Sequence, residues 1–183
     1  MKKIKNVLLS IIGALLVSSC GSNKIEYYKD KKPTMDFKSF FNGKLVARGV
    51  YFNLKDQAES RFIMNSEGVL NGNKMKLNQD ITYLDRNNEK KHFNAYAMFD
   101  DNYPRSFIYK DEMMVGEGVY EQQGNATHVS YDLKIEREDK STIIVHCEDW
   151  LYLIDEKHAI NKIKITKFGI HVGDIIMSIE KIS

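Results

Sequence analysis

His146, Glu148, Trp150 and Tyr152 alternate along one stretch of the chain, with Ile143, Val145, Cys147, Leu151 and Leu153 at the opposite parity. Successive side chains of an extended strand point to opposite faces, so the first four share a face. Turned into a cavity, that polar and aromatic face would offer a stacking surface with a few fixed polar groups, which suits a small apolar or amphipathic ligand. Turned outward, it would leave the aliphatic set to build the core, with Trp150 and Tyr152 packed beneath a helical turn or beneath the 155–158 loop. Both orientations are open at the level of sequence. Asp149 falls among the aliphatic residues and, if buried, needs a partner such as Lys167 or Arg48. His171, between Gly169 and Gly173, is suited to a rim and joins His146, Glu148, Trp150 and Tyr152 as candidate ligand-binding residues.

Other chemistry has less support. No Gly-x-Ser-x-Gly elbow occurs. A pairing of His171 with Asp155 or Glu148 rests on residue type alone, so no catalytic residue is assigned. His92, His128, His146, His158 and His171 stand at no spacing typical of zinc or iron, and His146 with Glu148 supplies two ligands, too few for a site. Neither a metal nor a cofactor is expected. Met64, Met75, Met98 and Met177 follow apolar positions and read as gap-filling core or an adaptable ligand surface.

The N-terminus carries a different signal. Lys2, Lys3 and Lys5 precede an apolar run over 7–17, and Val17-Ser18-Ser19 leads to Cys20. The run is too short for a spanning helix, which needs roughly 20 apolar residues. The order resembles the lipobox of bacterial lipoproteins, which implies cleavage after residue 19 and lipidation of Cys20. Gly21 stands where an inner-membrane retention signal would have Asp, so the expected location is the periplasmic face of the outer membrane. Residues 20–33 read as a polar, lysine-rich tether and 34–183 as one domain. Three of the 27 basic residues lie in the signal, leaving 24 against 25 acidic ones. That balance gives a nucleic-acid partner no electrostatic support. With Cys20 lipidated, Cys147 has no partner and reads as a small buried hydrophobe.

The elements that must position these residues are strands. Met75, Leu77, Ile81 and Tyr83 oppose Lys74, Lys76, Asp80 and Thr82, and Val129, Tyr131, Leu133 and Ile135 oppose Ser130, Asp132, Lys134 and Glu136. Similar runs cover 44–54, 58–65, 90–99, 115–121, 141–154, 159–168 and 170–182, separated by turn signals such as Asn71-Gly72 and Gly124-Asn125. Residues 34–41 predict a short N-terminal helical turn capped by Thr34, with Phe37, Phe40 and Phe41 on one side. This pattern predicts an all-β fold, an antiparallel barrel or half-barrel of about 8–10 strands.

Phe41-Asn42-Gly43-Lys44-Leu45-Val46-Ala47-Arg48-Gly49, Val115-Gly116-Glu117-Gly118, Asp149-Trp150-Leu151-Tyr152-Leu153-Ile154-Asp155, and Asn161 with the stretch Lys167-Phe168-Gly169-Ile170-His171-Val172-Gly173 together resemble a family of uncharacterised proteobacterial lipoproteins. The resemblance implies a lipocalin-like barrel and no established activity. The expected function is therefore a lipid-anchored envelope protein that holds a small lipophilic ligand. Its rivals are a scaffolding role with envelope proteins as partners, around a packed core, and an enzyme acting on lipids.

Overall fold

From Gly43 onward the chain alternates with a period of two, and the computed structural model resolves ten strands. They are β1 (Gly43–Asn53), β2 (Ala58–Asn71), β3 (Lys74–Tyr83), β4 (Glu89–Phe99), β5 (Ser106–Asp111), β6 (Gly118–Gln123), β7 (Ala126–Glu136), β8 (Thr142–Leu153), β9 (His158–Lys167) and β10 (Ile170–Lys181). The structure describes residues 24–136 and 141–183. Each strand pairs antiparallel with its sequence neighbours, and β1 also pairs with β10, from Leu45 opposite Lys181 to Asn53 opposite Gly173. The sheet closes on itself, so each strand has a neighbour on both sides, but the short β5 and β6 reach only Ala95–Phe99 of β4 and Ala126–His128 of β7, respectively. The all-β barrel expected from the sequence is present, and the β1–β10 ladder makes it closed rather than half-open.

Differences from the expected strands have local causes. β5 was not expected, because outward-facing Ile108 sits between inward Phe107 and Tyr109 and masks the alternation. β2 runs on to Asn71 past Ser66 and Gly68, whose buried inward positions carry no apolar signal. Gly116 takes a φ of +85° and holds residues 115–117 in a loop, so β6 begins only at Gly118.

The two ends of the barrel differ. One is closed by helix α1 (Phe37–Phe41), whose Phe37 and Phe40 are 3% and 4% exposed. Asp36, rather than Thr34, is the N-cap: its carboxylate accepts from the Lys38 amide at 3.1 Å and from Ser39 Oγ at 2.6 Å. At the other terminus Lys181 Nζ donates to the carbonyls of Ser39 (2.5 Å), Phe40 (3.2 Å) and Asn42 (2.8 Å). A cation thus satisfies the carbonyls that the last turn leaves without partners. Gly68 makes room for this plug, since a Cβ there would lie 1.8 Å from the Phe41 carbonyl oxygen. At the opposite end the inward-facing Tyr51, Ile81, Phe93, Leu133, Ile135 and Ile175 are only half-buried.

Residues 24–33, expected as part of a tether, are folded onto the barrel. The 3-10 turn Ile25–Tyr28 lies on the outer wall, where Ile25 is 7% exposed and packs with Ala126 and Trp150. Met35 N donates to the Gly124 carbonyl at 2.6 Å and ties the segment between strap and plug to the β6–β7 turn. Gly124 has a φ of +55°, and a Cβ there would meet the Tyr28 carbonyl oxygen at 1.5 Å. Gly124→Ala should therefore cost about 1–2 kcal/mol of left-handed strain and dislodge the strap while leaving the barrel closed. Limited proteolysis checks this: faster cleavage within 24–35 is expected with the remaining cleavage pattern unchanged, and no change in the strap would refute it.

Candidate functional site

β8 decides which face of the strand is internal. Val145, Cys147, Asp149, Leu151 and Leu153 point inward and are buried, while His146, Glu148, Trp150 and Tyr152 point outward. The aliphatic set prevails because burying each such side chain stabilises by about 1.5–3 kcal/mol, more than the polar face could return. All of the candidate residues chosen from sequence thus stand on the outside of the wall. His171 does too: its Nε2 lies 2.8 Å from Asp174 Oδ2. It is paired with neither Asp155, which binds His158 at 2.9 Å, nor Glu148.

The outward face is nonetheless organised. His128 Nε2 lies 2.7 Å from Glu148 Oε2, His146 Nε2 lies 3.3 Å from Glu148 Oε1, and His146 Nδ1 lies 2.9 Å from Asp132 Oδ1. The hydrogen bond to Asp132 raises the His146 pKa above its ordinary value against the opposing effect of burial. For Glu148 the order reverses: burial pushes its carboxyl up, but hydrogen bonds from His128, His146 and Ser130 together hold it below the usual value. His128 stacks on Trp150 with centroids 4.2 Å apart, and Trp150 meets Tyr28 at 5.6 Å. Trp150 is therefore the floor under the N-terminal strap, not under helix α1 or the 155–158 loop. Trp150→Ala should remove this floor, costing about 3–5 kcal/mol as a buried large-to-small change. A fall of that size in urea unfolding, with faster proteolysis near Tyr28, is the expected result; a loss under 1 kcal/mol would show that the strap holds without it.

The lumen has polar chemistry of its own. Asp149, 8% exposed, accepts from Asn161 Nδ2 and from the Tyr131 hydroxyl, the latter at 3.3 Å. Asn161 spends its second amide hydrogen on the Trp150 carbonyl at 3.0 Å. Neither Lys167 nor Arg48 is the partner: Lys167 lies over the Phe168 ring at 5.4 Å, and Arg48 pairs with Glu180 at 3.3 Å. Burial raises the Asp149 pKa to about 6, opposed by the bonds from Asn161 and Tyr131. Asp111 also faces inward and is raised by burial, although it accepts from the amides of Met113 (2.7 Å) and Met114 (2.9 Å). Tyr109 and Tyr120 stand beside these carboxylates with centroids 5.1 Å apart, their hydroxyls held neutral by burial. Cys147 shares the space, and burial followed by Asp149 pushes its thiol up to about 12, so it is no nucleophile near neutral pH.

Part of this site was visible in sequence. Asp149 is legible as the polar residue on an aliphatic face, whereas Asp111 and Thr127 carry no signal, because Ile108 masks the alternation of β5 and β7 begins three residues before its clear alternation. Among the described residues, no group of three or more His, Cys, Asp or Glu side chains could hold a metal ion. Cys20 lies outside the described residues.

A closed antiparallel barrel, plugged at one end and with buried polar groups in its lumen, is a lipocalin-like fold. More narrowly, the chain belongs to the family described as "Protein of unknown function (DUF3833)", which residues 14–181 match. No curated protein matches its sequence. Its structure is similar to that of the S-type phycobiliprotein lyase CPES from Guillardia theta, with a TM-score of 0.59 and 10% identity over 88% of this chain and 99% of that one. It is also similar to a protein of unknown function from the DUF3598 family of Nostoc punctiforme PCC 73102, with a TM-score of 0.58 and 12% identity over 83% of this chain. This chain spans about half (51%) of that second protein. At such identities the likeness is one of fold.

Proposed function

We propose that the protein is an envelope lipoprotein, anchored through lipid on Cys20 at the periplasmic face of the outer membrane, that holds one small apolar or amphipathic molecule in its lumen. The observation that carries this reading is the inequality of the two ends. Helix α1 seals one, whereas the inward Leu133, Ile135, Ile143 and Ile175 at the other pack against Val145, Cys147, Ile163 and Ile165 below them and remain only half-buried. A barrel of this size is wide enough for one small ligand. Phe168, Ile170 and Leu54, 92%, 67% and 62% exposed, stand on the turns around that mouth and extend the apolar lining outward.

The docked strap supports proximity to the membrane. Five residue steps separate Cys20 from Ile25, which reach roughly 18 Å at full extension. A lipid on Cys20 would hold the barrel against the bilayer, beside a reservoir of lipophilic molecules. The likeness to a phycobiliprotein lyase fits a ligand-holding barrel.

Native mass spectrometry of the full chain purified from its own envelope, followed by lipid extraction, tests the reading. A molecule bound at near-unit stoichiometry is expected. An empty barrel that also takes up no added amphiphile would refute it and favour a scaffolding role. Cys20→Ser should move the protein from membranes to the soluble fraction, and its retention there would refute the anchor.

A further inference from the structure

Deep in the lumen the fixed charges are of one sign. Asp149 and Asp111 both face inward, and among the described residues neither forms an ion pair with a lysine, arginine or histidine. Of the cations on the inward parity, Lys91 lies at the mouth and pairs with Glu89 at 3.5 Å, Lys167 lies at the mouth beside the β9–β10 turn, and Lys181 lies at the plugged end, where its Nζ donates to the carbonyls of Ser39, Phe40 and Asn42. A buried carboxylate offers about four acceptor directions, and the two neutral donors to Asp149 leave some of them unused. A second, independent observation lies next to it. Thr127 is 0% exposed and its Oγ1 has no hydrogen-bond partner. Thr127 faces Leu151 across the β7–β8 ladder, which makes it the diagonal neighbour of Asp149 on the lumen face. An unpartnered buried hydroxyl costs free energy, and a ligand donor would relieve that cost.

The surrounding surface suits a cation. Tyr109, Tyr120 and Tyr131 present aromatic rings around the carboxylates, and ring faces attract ammonium groups more strongly when water is excluded. Above them Leu133, Ile135, Ile143 and Ile175 lead to the mouth and match an alkyl tail. Building on the lumen-binding reading, we propose that the ligand is an amphipathic amine. Its ammonium sits against Asp149 and Thr127 Oγ1 among the tyrosine rings, and its chain runs toward the open end. The same electrostatics disfavour a fatty-acid carboxylate, since a third anion would enter a space that already holds two.

Three probes of equal chain length separate the claims: dodecylamine, dodecanoic acid and dodecanol, each offered to the full chain and read by native mass spectrometry from micelles. A 1:1 complex is expected for the amine, at least tenfold more abundant than for the acid or the alcohol. Asp149→Asn should bring the amine down to the level of the alcohol, and Thr127→Val should lower it several-fold, each in protein whose thermal unfolding remains cooperative. Equal binding of amine and alcohol, or an amine preference that survives both substitutions, would overturn the cationic head group while leaving a lumen ligand in place. Binding of none of the three would overturn the lumen reading itself, and the amine with it.

Discussion

Asp149→Asn should make the protein more stable than the parent at neutral pH and equal to it near pH 4. Burial lifts the Asp149 pKa from its ordinary 3.8 to about 6 in the folded chain, against the lowering effect of Asn161 and Tyr131. The folded state then holds the proton more tightly than the unfolded state. The contribution of this group is full below about 3.8 and is lost as pH rises through about 6. A shift of about two units corresponds to roughly 3 kcal/mol. Asparagine keeps the geometry, because its oxygen accepts from Asn161 and its amide can donate to the Tyr131 oxygen. Urea unfolding of both proteins from pH 4 to 8 measures the difference. It should grow from near zero to about 3 kcal/mol by pH 7. Exposed carboxylates such as Asp85, held low by Arg61, follow the opposite trend but cancel between the two proteins. A difference that stays flat across this range would mean that the carboxylate is hydrated.

Phe37→Ala should be the most damaging single truncation in the plug. The ring is 3% exposed and lies 4.1 Å from Phe41, 4.4 Å from Phe107 and 6.1 Å from Tyr120, centroid to centroid. Removing a fully buried Phe costs about 3–5 kcal/mol, because the cavity it leaves collapses only in part. For a chain of this size, about 4 kcal/mol lowers Tm by roughly 8–16 °C. Phe41 is half-buried, so Phe41→Ala should cost visibly less. Thermal unfolding of the pair provides the check. A loss at Phe37 no larger than at Phe41 would show that the helix covers the barrel end without being wedged into it.

Much of the architecture was legible because a two-residue period reports a half-buried strand directly. The sharp alternation of β3 and β7 marked them at once, and their charged faces do point to solvent. Legibility failed where inward positions carry no apolar signal. Ser66 and Gly68 hid the end of β2, and Ile108 hid β5. The same limit applied to the site: β8 has two coherent faces, and alternation states that residues share a face without stating which face is inside. His146, Glu148, Trp150 and Tyr152 were therefore readable as a set and unreadable as a surface.

From sequence alone came the strand content, antiparallel connectivity through short turns, the aromatic helical turn before the first strand, and a polar residue out of place at Asp149. These are properties of neighbours along the chain, for which spacing is sufficient. Closure of β1 on β10, the docking of residues 24–33 over Trp150, and the gathering of Asp111, Thr127, Tyr131, Asp149 and Asn161 in one lumen depended on tertiary structure. Those contacts join residues tens of positions apart, and their partners are set by barrel register and by which face is driven out of water.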